Sequence, residues 1–136
     1  MISLVIPTCN RASFLARLIH YYCNWYFNHH MIIADSSDDG TRAENRRNLS
    51  LLAGKIVVTY LDFQAGVSPI CKLHGVLSRL HTPYVVIGAD DDFHIPAALD
   101  CGVDFLRAHP EYGVLHGDAV VFSLKSGTAT GACHRY

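Results

Sequence analysis

The sequence predicts an α/β sandwich on a mostly parallel sheet, and three observations carry that expectation. Short apolar runs rich in β-branched residues alternate with amphipathic stretches of helical period. Several runs stop abruptly at Pro, Asn, Asp or Ser, as parallel strands do where they give way to a loop. The sharpest stop is Tyr84-Val85-Val86-Ile87-Gly88-Ala89-Asp90-Asp91-Asp92-Phe93, where an apolar run entered through Thr82-Pro83 ends in three carboxylates. This run reads as a fully buried, central strand. Its aspartates then stand at the carboxyl edge, where open α/β sheets bind ligands.

Taken in order, Ile2 to Ile6 is the first strand, closed by Pro7-Thr8-Cys9-Asn10. From Arg11 the apolar positions Phe14, Leu15, Leu18, Ile19, Tyr22, Trp25 and Tyr26 keep a 3.6-residue rhythm and predict a helix with a broad buried face. Met31 to Ala34 is a second strand, ending in Asp35-Ser36-Ser37-Asp38-Asp39-Gly40-Thr41. Thr41 and Glu44 form a capping-box pattern, so a helix is expected from Thr41 to about Ala53, stopped by Gly54, with Arg42, Arg46 and Arg47 on a solvated face. Ile56 to Leu61 is a third strand. After the loop from Asp62 to Val67, Ser68-Pro69 supplies an N-cap and a first helical residue, and Ile70, Leu73, Val76, Leu77 and Leu80 are expected inward. The strand from Tyr84 follows. Pro96 opens a helix with Leu99, Val103, Phe105 and Leu106 inward, ended by His109-Pro110. Tyr112 to Leu124 is strand-like with a break at Gly117, and Lys125-Ser126-Gly127 turns into a short final strand.

Length and composition describe an ordinary globular chain. At 136 residues it is expected to form a single domain, 1–136, able to bury about two thirds of its unfolded surface. Half the residues are apolar and the formal net charge is −1, so no basic surface for nucleic acid is expected. The longest apolar runs are far short of the roughly 20 residues that span a bilayer, and the N-terminus lacks signal-peptide features, so the expected location is the cytoplasm. Five scattered cysteines without a Cys-x-x-Cys pair read as reduced thiols. The histidines show no metal-ligating spacing.

Three adjacent carboxylates repel one another, and a bound cation is a natural way to neutralise them. Oxygen-only ligands favour Mg2+ or Mn2+ over zinc. Such ions keep positions for water and phosphate, so the expected partner is a phosphorylated ligand, a nucleotide above all. The plain alternative is a solvated acidic turn.

Four stretches together carry a family likeness: Ser3 to Arg11 (SLVIPTCNR), Ile32 to Thr41 (IIADSSDDGT), Gly66-Val67-Ser68, and Ala89-Asp90-Asp91-Asp92 with Pro96 four residues on. In this order they resemble the nucleotide-sugar half of the family 2 glycosyltransferases, from Ile2 to about Phe122. The resemblance implies a Rossmann-like α/β/α sandwich of GT-A type. It implies a sugar transfer, inverting and metal-dependent, from a nucleotide-diphosphate-sugar donor to a glycan, lipid or protein acceptor.

By the same resemblance Pro7, Thr8 and Asn10 pack on the nucleoside and Asp35 hydrogen-bonds the base. Lys72 stands where relatives usually have an arginine near base and phosphates. Asp90, Asp91 and Asp92 match the Asp-x-Asp region, with Asp92 and Asp90 preferred as metal and ribose partners and Asp91 able to replace either. Counting back from Pro96, Ala89 falls where many members have their first acid. Relatives place the general base further along the chain than any acid here. Asp118 is the nearest candidate, though it reads first as a strand-end or loop residue. The expected domain is therefore one truncated on its acceptor side. Two rivals stay open: a non-catalytic nucleotide-sugar-binding module, and a Mg2+-dependent phosphohydrolase or phosphoacceptor domain, which Asp90-Asp91-Asp92-Phe93-His94 fits poorly because it lacks the Asp-x-Asp-x-Thr form.

Overall fold

The computed structural model describes residues 1–121 and, as backbone, 124–125, 128–129 and 134–135. The chain divides into two compact units, Met1–Val103 and Asp104–Tyr136.

The first unit carries the alternating elements: β1 (Ile2–Thr8), α1 (Ala12–Asn24), β2 (His30–Asp35), α2 (Asp39–Ser50), β3 (Val57–Asp62), α3 (Pro69–Leu77), β4 (Tyr84–Ile87) and the start of α4 (Pro96–Ala108). The strands form one parallel sheet in the order β3-β2-β1-β4. Strand alternation sends Leu4, Ile6, Met31 and Ile33 to one face, where they pack with Leu15, Leu18, Ile19 and Tyr22 of α1. Val5, Ile32 and Ala34 face the other side, against Val76 with Leu73 and Leu80 beside it. Helices thus cover both faces, and the α/β sandwich expected from the sequence is the fold observed. Parallel register aligns Thr8 with Asp35 and Asp35 with Asp62, so three polar side chains end their strands in one row.

Several boundaries differ from the sequence expectation. β1 runs through Pro7 to Thr8, since a proline at a strand's end gives up one ladder donor without breaking the backbone path. α1 stops at Asn24, and Tyr26, with φ 54° and 93% exposure, leaves the helical stripe that its spacing suggested. α2 begins two residues before Thr41, because Asp38 is the N-cap and its Oδ1 accepts from the Thr41 N–H at 2.8 Å. In α3 the Ser68 cap is as expected, but Lys72 and Val76 are the buried residues while Ile70 is 78% exposed. β4 is not central: among the described residues β1 and β2 are the inner strands, and Val85 and Ile87 are exposed.

In the second unit Val120–Val121 (β5) pairs antiparallel with His134–Arg135 (β8), and Leu124–Lys125 (β6) with Thr128–Ala129 (β7). The long strand expected from Tyr112 is absent over residues 112–119, where alternation is too weak to hold one. The turn expected at Lys125-Ser126-Gly127 falls partly outside the described residues.

Candidate functional site

The carboxyl-end loops of the first unit are bound together by polar side chains. Thr8 closes β1, and its Oγ1 donates to Asp90 Oδ2 at 2.7 Å, joining the ends of β1 and β4. Arg11, the residue preceding α1, forks across two carboxylates: Nη1 lies 3.0 Å from Asp90 Oδ1 and Nη2 2.7 Å from Asp91 Oδ2. Its guanidinium rests 4.2 Å from the centroid of the Phe14 ring. Both Asp90 oxygens are therefore engaged. Asp90 is 3% exposed, and burial raises its carboxyl above the ordinary value against the opposing pull of Thr8 and Arg11. Asp91 is held below the ordinary carboxylate value, chiefly by its bond from Arg11. Asp92 is exposed and accepts none of these bonds.

Asn10 couples the β1 and β2 loops. It occupies the left-handed region at φ 54°, which asparagine tolerates better than most side chains. Its N–H donates to Ser37 Oγ at 2.8 Å, and its Oδ1 accepts from the Asp38 N–H at 2.9 Å. Asp35 is fully buried: Oδ1 accepts from the Ser37 N–H at 2.7 Å, and Oδ2 accepts from Asn45 Nδ2 at 2.8 Å and from the Tyr60 hydroxyl. Burial works against its ionisation, yet the donors from Ser37, Tyr60 and Asn45 prevail and hold the carboxyl below its ordinary value.

Lys72 is 1% exposed, with Nζ donating to the Thr8 carbonyl at 2.6 Å and to Ser36 Oγ at 2.9 Å. Burial lowers its ammonium below the ordinary value, opposed by Cys9, Asp35 and Asp90. The Ser36 hydroxyl in turn donates to the Val67 carbonyl at 3.1 Å, and its own carbonyl accepts from the Gly66 N–H at 2.9 Å. Gly66 has φ +76°, the conformation that explains a glycine in this turn.

The residues singled out by sequence thus divide by environment. Thr8, Asn10, Asp90 and Asp91 are drawn together at one edge, with Pro7 beside them in β1. Asp35 and Lys72 lie beneath that edge with their polar atoms already used. Asp118 is exposed in the second unit. Sequence reading gave Arg11 no task of its own and set Arg42 on a solvated face. Arg42 instead donates to the Ser37 and Phe63 carbonyls at 2.8 and 3.0 Å and pairs with Asp62 at 3.3 Å. Only its position one turn beyond the Asp38 cap could have shown that it points back at the loop.

A divalent ion suits this edge in one particular way. Among the described residues no three His, Cys, Asp or Glu side chains form a ready ligand set. Mg2+ and Mn2+ often need no more than one or two carboxylates, with phosphate and water completing the shell. The exposed carboxylate of Asp92 fits that requirement; Asp90, with both oxygens engaged, does not fit it as it stands. Two cavities, of about 450 and 390 Å3, lie elsewhere: one runs along α2 and β3, the other is lined by Met1, His29, His30 and Thr82, and neither contains these aspartates.

A model of glycosyl transferase family 2 matches residues 3–124. The chain belongs to this family. Its fold is similar to that of S. aureus TarS 1–349, with TM-score 0.67 and 17% identity over 80% of this chain and 33% of that one. It is also similar to the mannosyltransferase PcManGT from Pyrobaculum calidifontis, solved with GDP-Man and Mn2+, with TM-score 0.64 and 21% identity over 77% of this chain and 32% of that one. At such identities the likeness shows the fold, which is the GT-A sandwich. The chain spans about a third of the length of these two proteins. No protein of curated function matches it. No helix among the described residues is long and apolar enough to cross a membrane.

Proposed function

We propose that this family 2 domain binds the nucleoside-diphosphate end of a nucleotide-sugar donor at its carboxyl edge, with Mg2+ or Mn2+, and serves sugar transfer with inversion. The observation that carries this reading is the junction of Thr8, Arg11 and Asp90 at the strand ends, with Asp92, two residues on, exposed and outside those contacts. Pro7, Thr8 and Asn10 form the nucleoside side of the site. Asp92 is the carboxylate for the metal. Asp35 and Lys72 act beneath it, fixing the loops rather than touching the base, because their polar atoms are buried and partnered.

In the reaction, an acceptor hydroxyl oxygen bonds to the anomeric carbon as the bond from that carbon to the diphosphate oxygen breaks. The acceptor proton passes to a general base, and the nucleoside diphosphate departs. When bound, a divalent cation supplies charge neutralisation for the departing diphosphate. Asp118 is the residue to test as base, by Asp118→Asn. The acceptor is a glycan, lipid or protein hydroxyl.

Calorimetry and thermal unfolding with UDP and GDP, with Mn2+ or with a chelator, test the reading. A nucleoside diphosphate at a hundred times its Kd should stabilise the domain by about 2.7 kcal/mol. If neither diphosphate binds in the presence of Mn2+ or Mg2+, the donor-site reading fails.

A further inference from the structure

Arg11 is the one cation in direct contact with Asp90, Asp91 or Asp92 among the described residues. It sits between two of them. Asp90 Oδ1 and Asp91 Oδ2 each accept one guanidinium nitrogen, and Thr8 holds the remaining Asp90 oxygen. Three carboxylates in succession carry three negative charges, and Arg11 offsets one of them. A divalent cation that drew on Asp90 as well as Asp92 would have to take an oxygen that Arg11 or Thr8 now holds, and one that took Asp91 Oδ2 would displace Arg11 there too. The Arg11 side chain is 39% exposed and rests on the Phe14 ring, so water reaches the guanidinium although its partner Asp90 is buried. Lys72 contrasts with it, being 1% exposed and locked between Thr8 and Ser36. Guanidinium groups also pair with phosphate as readily as with carboxylate, through the same fork of donors.

We propose that Arg11 is an internal counter-cation of the empty donor site, which holds Asp90 and Asp91 until a divalent cation and a diphosphate arrive together. This rests on the donor-site reading above. Alone, a metal ion at Asp92 meets a site already partly neutralised, and extending its ligands to Asp90 means breaking the Arg11 pair. A diphosphate arriving with the metal gives the released guanidinium an anion to hold. Arg11 thereby couples the two ligands: each binds better in the presence of the other. Two jobs fall to one residue, since the same pairs keep residues 90–92 in place while the site is empty.

The test measures Mn2+ binding to the whole chain by calorimetry, without nucleotide, for wild type, Arg11→Gln and Arg11→Lys. Removing the competitor should tighten Mn2+ binding by at least about fivefold, the lower end of ordinary coupling between sites. Arg11→Lys retains the charge but loses the fork, so its affinity should fall between the other two. The gain in UDP or GDP affinity on adding Mn2+ should shrink in Arg11→Gln. Thermal unfolding without metal should show Arg11→Gln less stable than wild type, with Mn2+ closing the gap. Equal Mn2+ affinity in wild type and Arg11→Gln, or weaker binding in the variant, overturns the counter-cation and leaves the donor site standing. If Arg11→Gln does not fold, Arg11→Lys decides, and Mn2+ affinity equal to wild type overturns the proposal. Failure of Mn2+ to bind any of the three, even with UDP or GDP present, overturns both readings together.

Discussion

The Tyr60 hydroxyl on β3 donates to the Asp35 carboxylate at the end of the neighbouring strand β2. That carboxylate also takes the Ser37 N–H and the Asn45 amide, so one buried acid fixes the β2 loop, the middle of α2 and the end of β3. Asp35→Ala leaves three donors without an acceptor. Each buried donor left unsatisfied costs about 1–3 kcal/mol, so the variant should lose about 3 kcal/mol or more in denaturant unfolding. Tyr60→Phe removes a single donor and should lose about 1 kcal/mol. An Asp35→Ala variant as stable as Tyr60→Phe would show that Asp35 does not unite these elements.

Acid should expose the same network. The Asp35 carboxyl lies below its ordinary value in the fold, while in the unfolded chain it returns to about 3.9. Between those two values the unfolded chain binds more protons, so stability rises with pH there. The contribution is complete above the unfolded value and is lost as pH falls through the folded one. Asp38 and Asp91 are lowered as well and act with the same sign, so the informative quantity is the difference between wild type and Asp35→Asn. Urea midpoints from pH 7 to pH 3 should fall less steeply in the variant. Parallel curves would remove Asp35 from the acid response.

Lys72 carries a similar structural load from below. Its ammonium bonds the Thr8 carbonyl and Ser36 Oγ, and Lys72→Met keeps the stem while removing a charged donor from both, leaving the Thr8 carbonyl with the Ser36 N–H and Ser36 Oγ with the Val67 carbonyl. A loss of about 2 kcal/mol or more in unfolding is expected, with weaker diphosphate binding, because Thr8 is also the partner of Asp90. Full stability together with weakened diphosphate binding would instead make Lys72 a direct phosphate contact, as the resemblance alone suggested.

The sheet and its helices were legible because strand runs and helical spacing are strong local signals: Val5 and Ile32 face α3 while Leu4 and Ile33 face α1. The carboxyl edge was legible for the same reason, since strand ends fix where Thr8, Asp35 and Asp90 stand. What spacing could not show is which polar atoms find each other across the edge. Arg11 and Asp91 are 80 residues apart in sequence and Lys72 and Thr8 are 64 apart, so their pairing is a tertiary event. An inward lysine also inverts the hydrophobic reading of α3: the buried ammonium finds the Thr8 carbonyl and Ser36 Oγ as acceptors, and Ile70 is exposed while Lys72 is buried. Asp38 displaced Thr41 as cap on a similar ground, because three residues separate it from the N–H it accepts.

Gly88, between β4 and the aspartates, marks a close approach. A Cβ there would stand 2.7 Å from Ile6 Cδ1, 3.2 Å from His94 Cε1 and 3.3 Å from Leu4 Cδ1. Gly88→Ala should cost about 1–3 kcal/mol through overpacking against the buried face of β1. Adding Ile6→Val removes the nearest methyl group and should recover part of the loss in a double-mutant cycle. Strict additivity of the two changes would mean that the crowding lies elsewhere.

Asp92 separates metal binding from the rest of the edge. Like Asp91 it is exposed, but it lies outside the Thr8 and Arg11 contacts, so Asp92→Asn should leave unfolding within about 0.5 kcal/mol of wild type. The same change removes a full charge from the place proposed for Mn2+, where an amide oxygen is a weaker ligand than a carboxylate. Diphosphate affinity in Mn2+ should therefore fall by about tenfold or more, equivalent to about 1.4 kcal/mol, while nucleoside affinity stays as it was. Asp90→Asn should behave differently. It breaks the Thr8 and Arg11 junction, so stability and affinity should fall together. Calorimetry with UDP, GDP and their nucleosides, beside unfolding curves for both variants, distinguishes the two. Undiminished diphosphate binding by Asp92→Asn in Mn2+ would move the metal site to another residue and take the donor geometry proposed here with it.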